Sequence, residues 1–166
     1  MESIGIFFCL AITLHNLEEA IWLPKWSQNA SKFQKSVSPR EFHFAVIVIT
    51  LLGYLSAFMY TYFPENSIAK WIFIGFLGSM ILNALVPHFM ATIIMKQYAP
   101  GLITGILLNI PINSFIIRKM FSNHLIIWSE LIISTLIVGI CLTLLIPILF
   151  KLGRMFSNND RAILRS

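Results

Sequence analysis

Residues 3–24 read SIGIFFCLAITLHNLEEAIWLP. The run is long enough to cross a bilayer, which takes ~20 apolar residues at a rise of ~1.5 Å each. Yet LHNLEEA, Leu14 to Ala20, places a histidine and two adjacent glutamates in its second half. Each such group costs ~2.5–3.5 kcal/mol near the bilayer centre and less towards its edge. A membrane helix that carries three of them needs a compensating reason.

The remainder of the chain supports the membrane reading. Of 166 residues, 57% are hydrophobic and 11% charged, where a soluble domain carries about a quarter charged residues. Mean hydropathy is +0.80. Apolar runs lie at about 3–23, 42–63, 71–95, 101–117 and 124–150. The expected fold is therefore all-α: one polytopic membrane helix bundle of about five transmembrane helices, a single domain over 1–166. The first run lacks a basic leader and a small-residue cleavage site, so it reads as a retained helix. Cys9 and Cys141 both sit inside apolar runs and imply no disulfide framework.

Lys and Arg set the orientation. With the N-terminus outside, the inner side receives Lys25, Lys32, Lys35, Arg40, Lys96, Lys151, Arg154, Arg161 and Arg165, and the outer side Lys70, Arg118 and Lys119. Nine against three predicts N-out and C-in, in the cytoplasmic membrane of a bacterium-like cell. The loop 24–41 is then cytoplasmic, and its lysines with Trp26 and Phe33 suit a segment resting on anionic headgroups. The net charge of +5 is a topology signal and not a nucleic-acid footprint. Ser38-Pro39-Arg40-Glu41 is a capping box at the start of the second helix. Gly153 beside Lys151 and Arg154 marks the end of the fifth. Gly101-x-x-x-Gly105 offers a flat face for close helix packing.

On a helix His15 shares a face with Glu18 (i+3) and Glu19 (i+4). Counting depth along the run 71–95 puts His88, preceded by Pro87, level with the two glutamates. Asn109 returns on the fourth helix to the depth of His15, with Asn113 one turn further on. Glu41 and His43 stand at the inner mouth of the second helix. Four helices thus direct polar groups to one inner-half cavity. Glu130 lies apart, near the outer side, placed either for an ion pair with Arg118 or Lys119 or for a local helix-to-helix bond.

His15-Asn16-Leu17-Glu18-Glu19 spells His-x-x-Glu-Glu. With Asn83, His88, the run Tyr98-Ala99-Pro100-Gly101, Thr104 and Pro111 further on, the chain resembles the membrane proteins named for the HXXEE motif, over residues 15 to about 113. That resemblance implies a small polytopic membrane protein and brings no settled activity.

Three chemistries fit this residue set. The first is a metal site: His15, Glu19 and His88 as ligands of Zn²⁺ or another divalent ion, a position left for water, Glu18 as general base, and Asn83 or Asn109 polarising a carbonyl. It suits a hydrolase or acyl transferase acting on a lipid or other lipophilic small molecule. The second is metal-free proton transfer by His15, Glu18 and His88, in an isomerase or cyclase. The third is an ion or proton pathway, a binding cavity or an accessory subunit, for which an oligomer would supply the internal symmetry the chain lacks.

Overall fold

The computed structural model describes residues 4–30 and 36–163, with side chains through residue 156. Five helices account for nearly all of it: α1 (Ile4–Asn29), α2 (Pro39–Tyr62), α3 (Ser67–Met95), α4 (Leu102–Ser122) and α5 (Trp128–Ile163). Each contains a window long and apolar enough to cross a membrane. There is no strand among the described residues. The all-helical bundle expected from the apolar runs is the architecture observed.

Helix ends depart from the expected boundaries for identifiable reasons. Pro24 was to open the loop 24–41, but α1 continues through it to Asn29. Proline has no N–H, so the Ala20 carbonyl loses its helical donor; His43 Nε2 of α2 takes its place at 2.9 Å. Ser27 then ties the end of α1 to the start of α2, donating to the Pro24 carbonyl at 2.8 Å and accepting from Val37 N–H at 3.3 Å. Lys32, Phe33 and Lys35, on which the headgroup-binding reading rests, lie outside the described residues.

The capping box of α2 is present: Ser38 Oγ accepts from Glu41 N–H, and Glu41 Oε2 from Ser38 N–H. Gly153 does not end α5, which runs on to Ile163. Its glycine serves packing instead, because a Cβ there would stand 3.1 Å from both Glu41 Cα and Phe44 Cβ. Arg154 next to it donates from Nε to Glu41 Oε1 at 2.5 Å. His124 belongs to the connector before α5 and not to the helix, and its φ is +55°.

The core lies where α1, α2, α3 and α4 meet. Phe8 meets Phe73 edge-on at 5.5 Å, and Ile12, Leu77, Ile116 and Met120 close around them, all essentially inaccessible. α5 lies against α3 through Gly75 and Gly78: a Cβ on Gly78 would fall 1.9 Å from Thr135 Oγ1, and one on Gly75 2.7 Å from the Ser134 carbonyl oxygen. Polar stitches join neighbouring helices, Asn16 to Thr50 at 2.7 Å and Lys70 to Glu130 at 2.9 Å. Glu130 therefore pairs across to α3 and not with Arg118 or Lys119; its other oxygen accepts from Ile127 N–H at the start of α5.

Candidate metal centre

Two of the helices are not α-helical throughout. Residues Ala84–Phe89 of α3 and Gly105–Asn109 of α4 form π-helical turns, and Ile110 N–H reaches back five residues to the Gly105 carbonyl. Pro87 lies within the first turn and Pro111 two residues beyond the second, and each lacks the N–H of an ordinary i→i−4 bond. The turn in α3 has a direct consequence. Asn83 and His88 are five apart, which in an α-helix sets them ~140° apart around the axis. The wider turn returns them to one face, with Asn83 Nδ2 3.2 Å from His88 Nε2.

That face looks onto α1. His15 and His88 rings meet edge-on with centroids 5.2 Å apart. His88 Nε2 lies 2.8 Å from Glu19 Oε1, and His15 Nε2 3.7 Å from the same oxygen. Asn83 Nδ2 lies 3.0 Å from His15 Nε2. Two imidazole nitrogens and one carboxylate oxygen thus fall within 4.8 Å of one another. Tetrahedral zinc with bonds of ~2.0–2.1 Å sets its ligand atoms ~3.3 Å apart, a spacing that 2.8 and 3.7 Å bracket. Both histidines are buried, whereas 13% of the Glu19 side chain stays accessible and Asn83 is half-buried.

Glu18 sits beside this group and binds the segment between α3 and α4. α3 stops at Met95 because Lys96 turns left-handed, φ +52°. Thr92 Oγ1 donates to the His88 carbonyl at 2.9 Å and accepts Ala99 N–H at 3.1 Å. Gly101 follows at φ +93°, against the His88 ring: a Cβ there would stand 2.7 Å from Cε1 and 2.9 Å from Nε2. The first N–H groups of α4 have no partner within their own helix. Glu18 supplies it from α1: Oε1 accepts Gly101 N–H at 2.7 Å and the Tyr98 hydroxyl, and Oε2 accepts Thr104 N–H at 2.9 Å and Thr104 Oγ1–H at 2.5 Å. Tyr98 lies between the windows long and apolar enough to cross a membrane. Partial burial and then its bond to Glu18 push its pKa up to about 12. Thr104 Oγ1 also stands 3.1 Å from His15 Nδ1, which joins the Glu18 anchor to the group of His15, Glu19 and His88.

The structure brings together His15, Glu19, His88 and Asn83, and places Glu18 beside them as the anchor of another segment. It does not bring in the rest of the expected cavity. Asn109 and Asn113 are fully buried, but neither makes a hydrogen bond to the cluster or to any other described group. His43 is taken by the Ala20 carbonyl, and Glu41 by its cap and Arg154. Thr104, Tyr98 and Gly101 were not expected as site residues. Their only signal was the run Tyr98–Thr104, present in the resemblance and given no task there. Gly101-x-x-x-Gly105 does give close packing, Gly105 at 2.9 Å from the Ala84 Cβ for an added Cβ.

Comparison with known proteins agrees with the motif. A protein from Bacillus subtilis (strain 168), named "Uncharacterized protein YrkK", is 70% identical over 147 residues, covering 89% of this chain and 93% of the relative. No solved structure matches the chain. The sequence model of a family described as "Protein of unknown function with HXXEE motif" matches residues 6–116, and the chain belongs to that family.

Proposed function

We propose that the chain is an integral membrane protein that binds one divalent metal ion, zinc by its ligand set, through His15, Glu19 and His88. We further propose that it carries out hydrolysis or acyl transfer on a lipophilic substrate. Membrane residence is supported by α5, whose window has mean hydropathy 2.7 and only 11% of its residues buried; such a helix is tolerable where the surroundings are apolar. The count of basic residues supports N-out and C-in, which sets the cluster in the cytoplasmic half of a bacterial cytoplasmic membrane.

The observation that carries the metal reading is the meeting of His15 Nε2, His88 Nε2 and Glu19 Oε1 at one point, from two helices, with Glu19 partly accessible. A bound divalent ion supplies Lewis acidity and lowers the pKa of a coordinated water. The chain's own residues supply the rest. Asn83, half-buried beside both imidazoles, is the group to orient a substrate carbonyl. Glu19 presents one oxygen to the imidazoles and keeps the other for a proton. Glu18 is a positioning residue in this reading and not the general base, because each of its oxygens already accepts two hydrogen bonds.

Elemental analysis of the detergent-purified protein tests the proposal. The expected result is about one zinc or similar ion per chain, lost in His15→Ala and in His88→Ala. A wild-type protein that neither retains nor takes up a divalent ion overturns it. One observation favours a second reading: the 2.8 Å contact of His88 Nε2 with Glu19 is itself a hydrogen bond. A metal-free His–Glu pair would move protons on a lipophilic substrate, as an isomerase or cyclase does.

A further inference from the structure

We infer that Thr104 is a positioning residue that fixes the tautomer of His15, holding Nε2 bare towards Glu19 and His88. The inference rests on the metal reading for its purpose, though the hydrogen accounting that supports it does not. A backbone N–H can only donate, so the bonds from Gly101 and Thr104 N–H make both Glu18 oxygens acceptors. The Thr104 hydroxyl has one hydrogen. At 2.5 Å from Glu18 Oε2 it must point there, since two facing lone pairs at that distance repel. Thr104 Oγ1 then offers only a lone pair to His15 Nδ1 at 3.1 Å. For that contact to be a hydrogen bond His15 Nδ1 carries the proton, the Gly101 backbone being a further hydrogen-bond partner of the ring, and Nε2 of a neutral imidazole then has none.

Glu18, Thr104 and His15 therefore form a carboxylate–hydroxyl–imidazole relay across α1 and α4. A metal-ligating histidine is oriented in this way by a hydrogen bond from its second nitrogen to an outer partner. Here that partner is a hydroxyl whose own hydrogen is committed elsewhere. The relay also explains why Glu18 and Glu19 are adjacent. On a helix neighbouring side chains diverge by ~100°, so one carboxylate serves the ligand cluster while the other grips the start of α4.

Thr104→Val keeps the shape and removes the hydroxyl; Thr104→Ser restores it. Two measurements read the outcome. In protein with metal removed, ¹⁵N chemical shifts of the His15 ring report its tautomer. The expected result is protonated Nδ1 in wild type and Thr104→Ser, and a mixture or the opposite form in Thr104→Val. Zinc affinity is expected to fall ~10–100-fold in Thr104→Val and to recover in Thr104→Ser. Protonated Nε2 in metal-free wild type overturns the relay, as does a Thr104→Val protein with the wild-type tautomer. A fixed Nδ1–H in a protein that binds no zinc supports the relay while overturning the metal reading.

Discussion

Glu18→Gln separates an anchoring carboxylate from a catalytic one. Glutamine keeps one oxygen, which can still accept from Tyr98 and from Gly101 N–H. An NH₂ group replaces the other, facing Thr104 N–H where Oε2 now stands at 2.9 Å. Two donors then confront each other, and one N–H of the first turn of α4 goes unpaired, at ~1–3 kcal/mol. The remaining bonds lose their charge assistance, at about 1 kcal/mol each. Partial exposure of Glu18 lets water relieve some of this, which leaves an expected destabilisation of about 2–4 kcal/mol. The substitution also reverses the relay. The Thr104 hydroxyl accepts from the new amide, turns its hydrogen towards His15 Nδ1, and sends the imidazole proton to Nε2. Unfolding in mixed detergent, with the His15 ¹⁵N shifts alongside, measures both effects. A Glu18→Gln protein as stable as wild type to within about 0.5 kcal/mol, with Nδ1 still protonated, would refute the anchoring role and return Glu18 to consideration as a base.

Gly101→Ala forces a side chain into a left-handed residue, at ~1–2 kcal/mol, and drives a methyl into the His88 ring; both stability and zinc affinity should fall, and a wild-type titration would argue against the packing. The Tyr98 pKa, pushed up to about 12, means that the folded chain holds this proton more tightly than the unfolded one. Its stabilisation is complete below the ordinary tyrosine value of ~10 and is lost as pH rises from there through about 12. Melting curves across that window should fall more steeply for wild type than for Tyr98→Phe, and parallel curves would contradict the assignment. Asn109→Leu and Asn113→Leu replace buried amides that lack a protein partner with apolar groups of similar volume. Each should raise stability by ~1–3 kcal/mol; a drop in melting temperature would show that these amides hold water or a polar ligand inside the bundle.

Helix number was legible because apolar length alone specifies it, and no tertiary contact can shorten a twenty-residue apolar run. Helix ends were less so, because a local signal can be overruled by a partner distant in sequence. Pro24 reads as a stop until His43 is seen on the Ala20 carbonyl. Gly153 reads as a cap until Glu41 is seen packed on it. The meeting of His15, Glu19 and His88 could be argued from i,i+4 spacing and from depth, both of which survive a kink. Position around the axis does not survive one. A π turn adds a residue and rotates all that follows by ~100°. It brings Asn83 onto the face of His88. The relay was illegible for another reason: it depends on which way one hydroxyl hydrogen points, and this follows only from the complete set of donors around Glu18.

Buried polar residues in helical bundles often serve only to join helices, and this chain contains such joints. Asn16 with Thr50, Ser79 with the Thr135 carbonyl, and Lys70 with Glu130 each link one pair of helices, donor to acceptor. The group around His15 differs in its balance. His15 Nε2, Glu19 Oε1, His88 Nε2 and Asn83 Nδ2 meet at one point, four groups from two helices where each joint has one donor and one acceptor. Its construction also takes two π turns, two prolines and a left-handed glycine against an imidazole face, where joining helices would take one asparagine. Two imidazoles and a carboxylate converging from two helices are what the proposed cation site requires and what a simple helix joint does not.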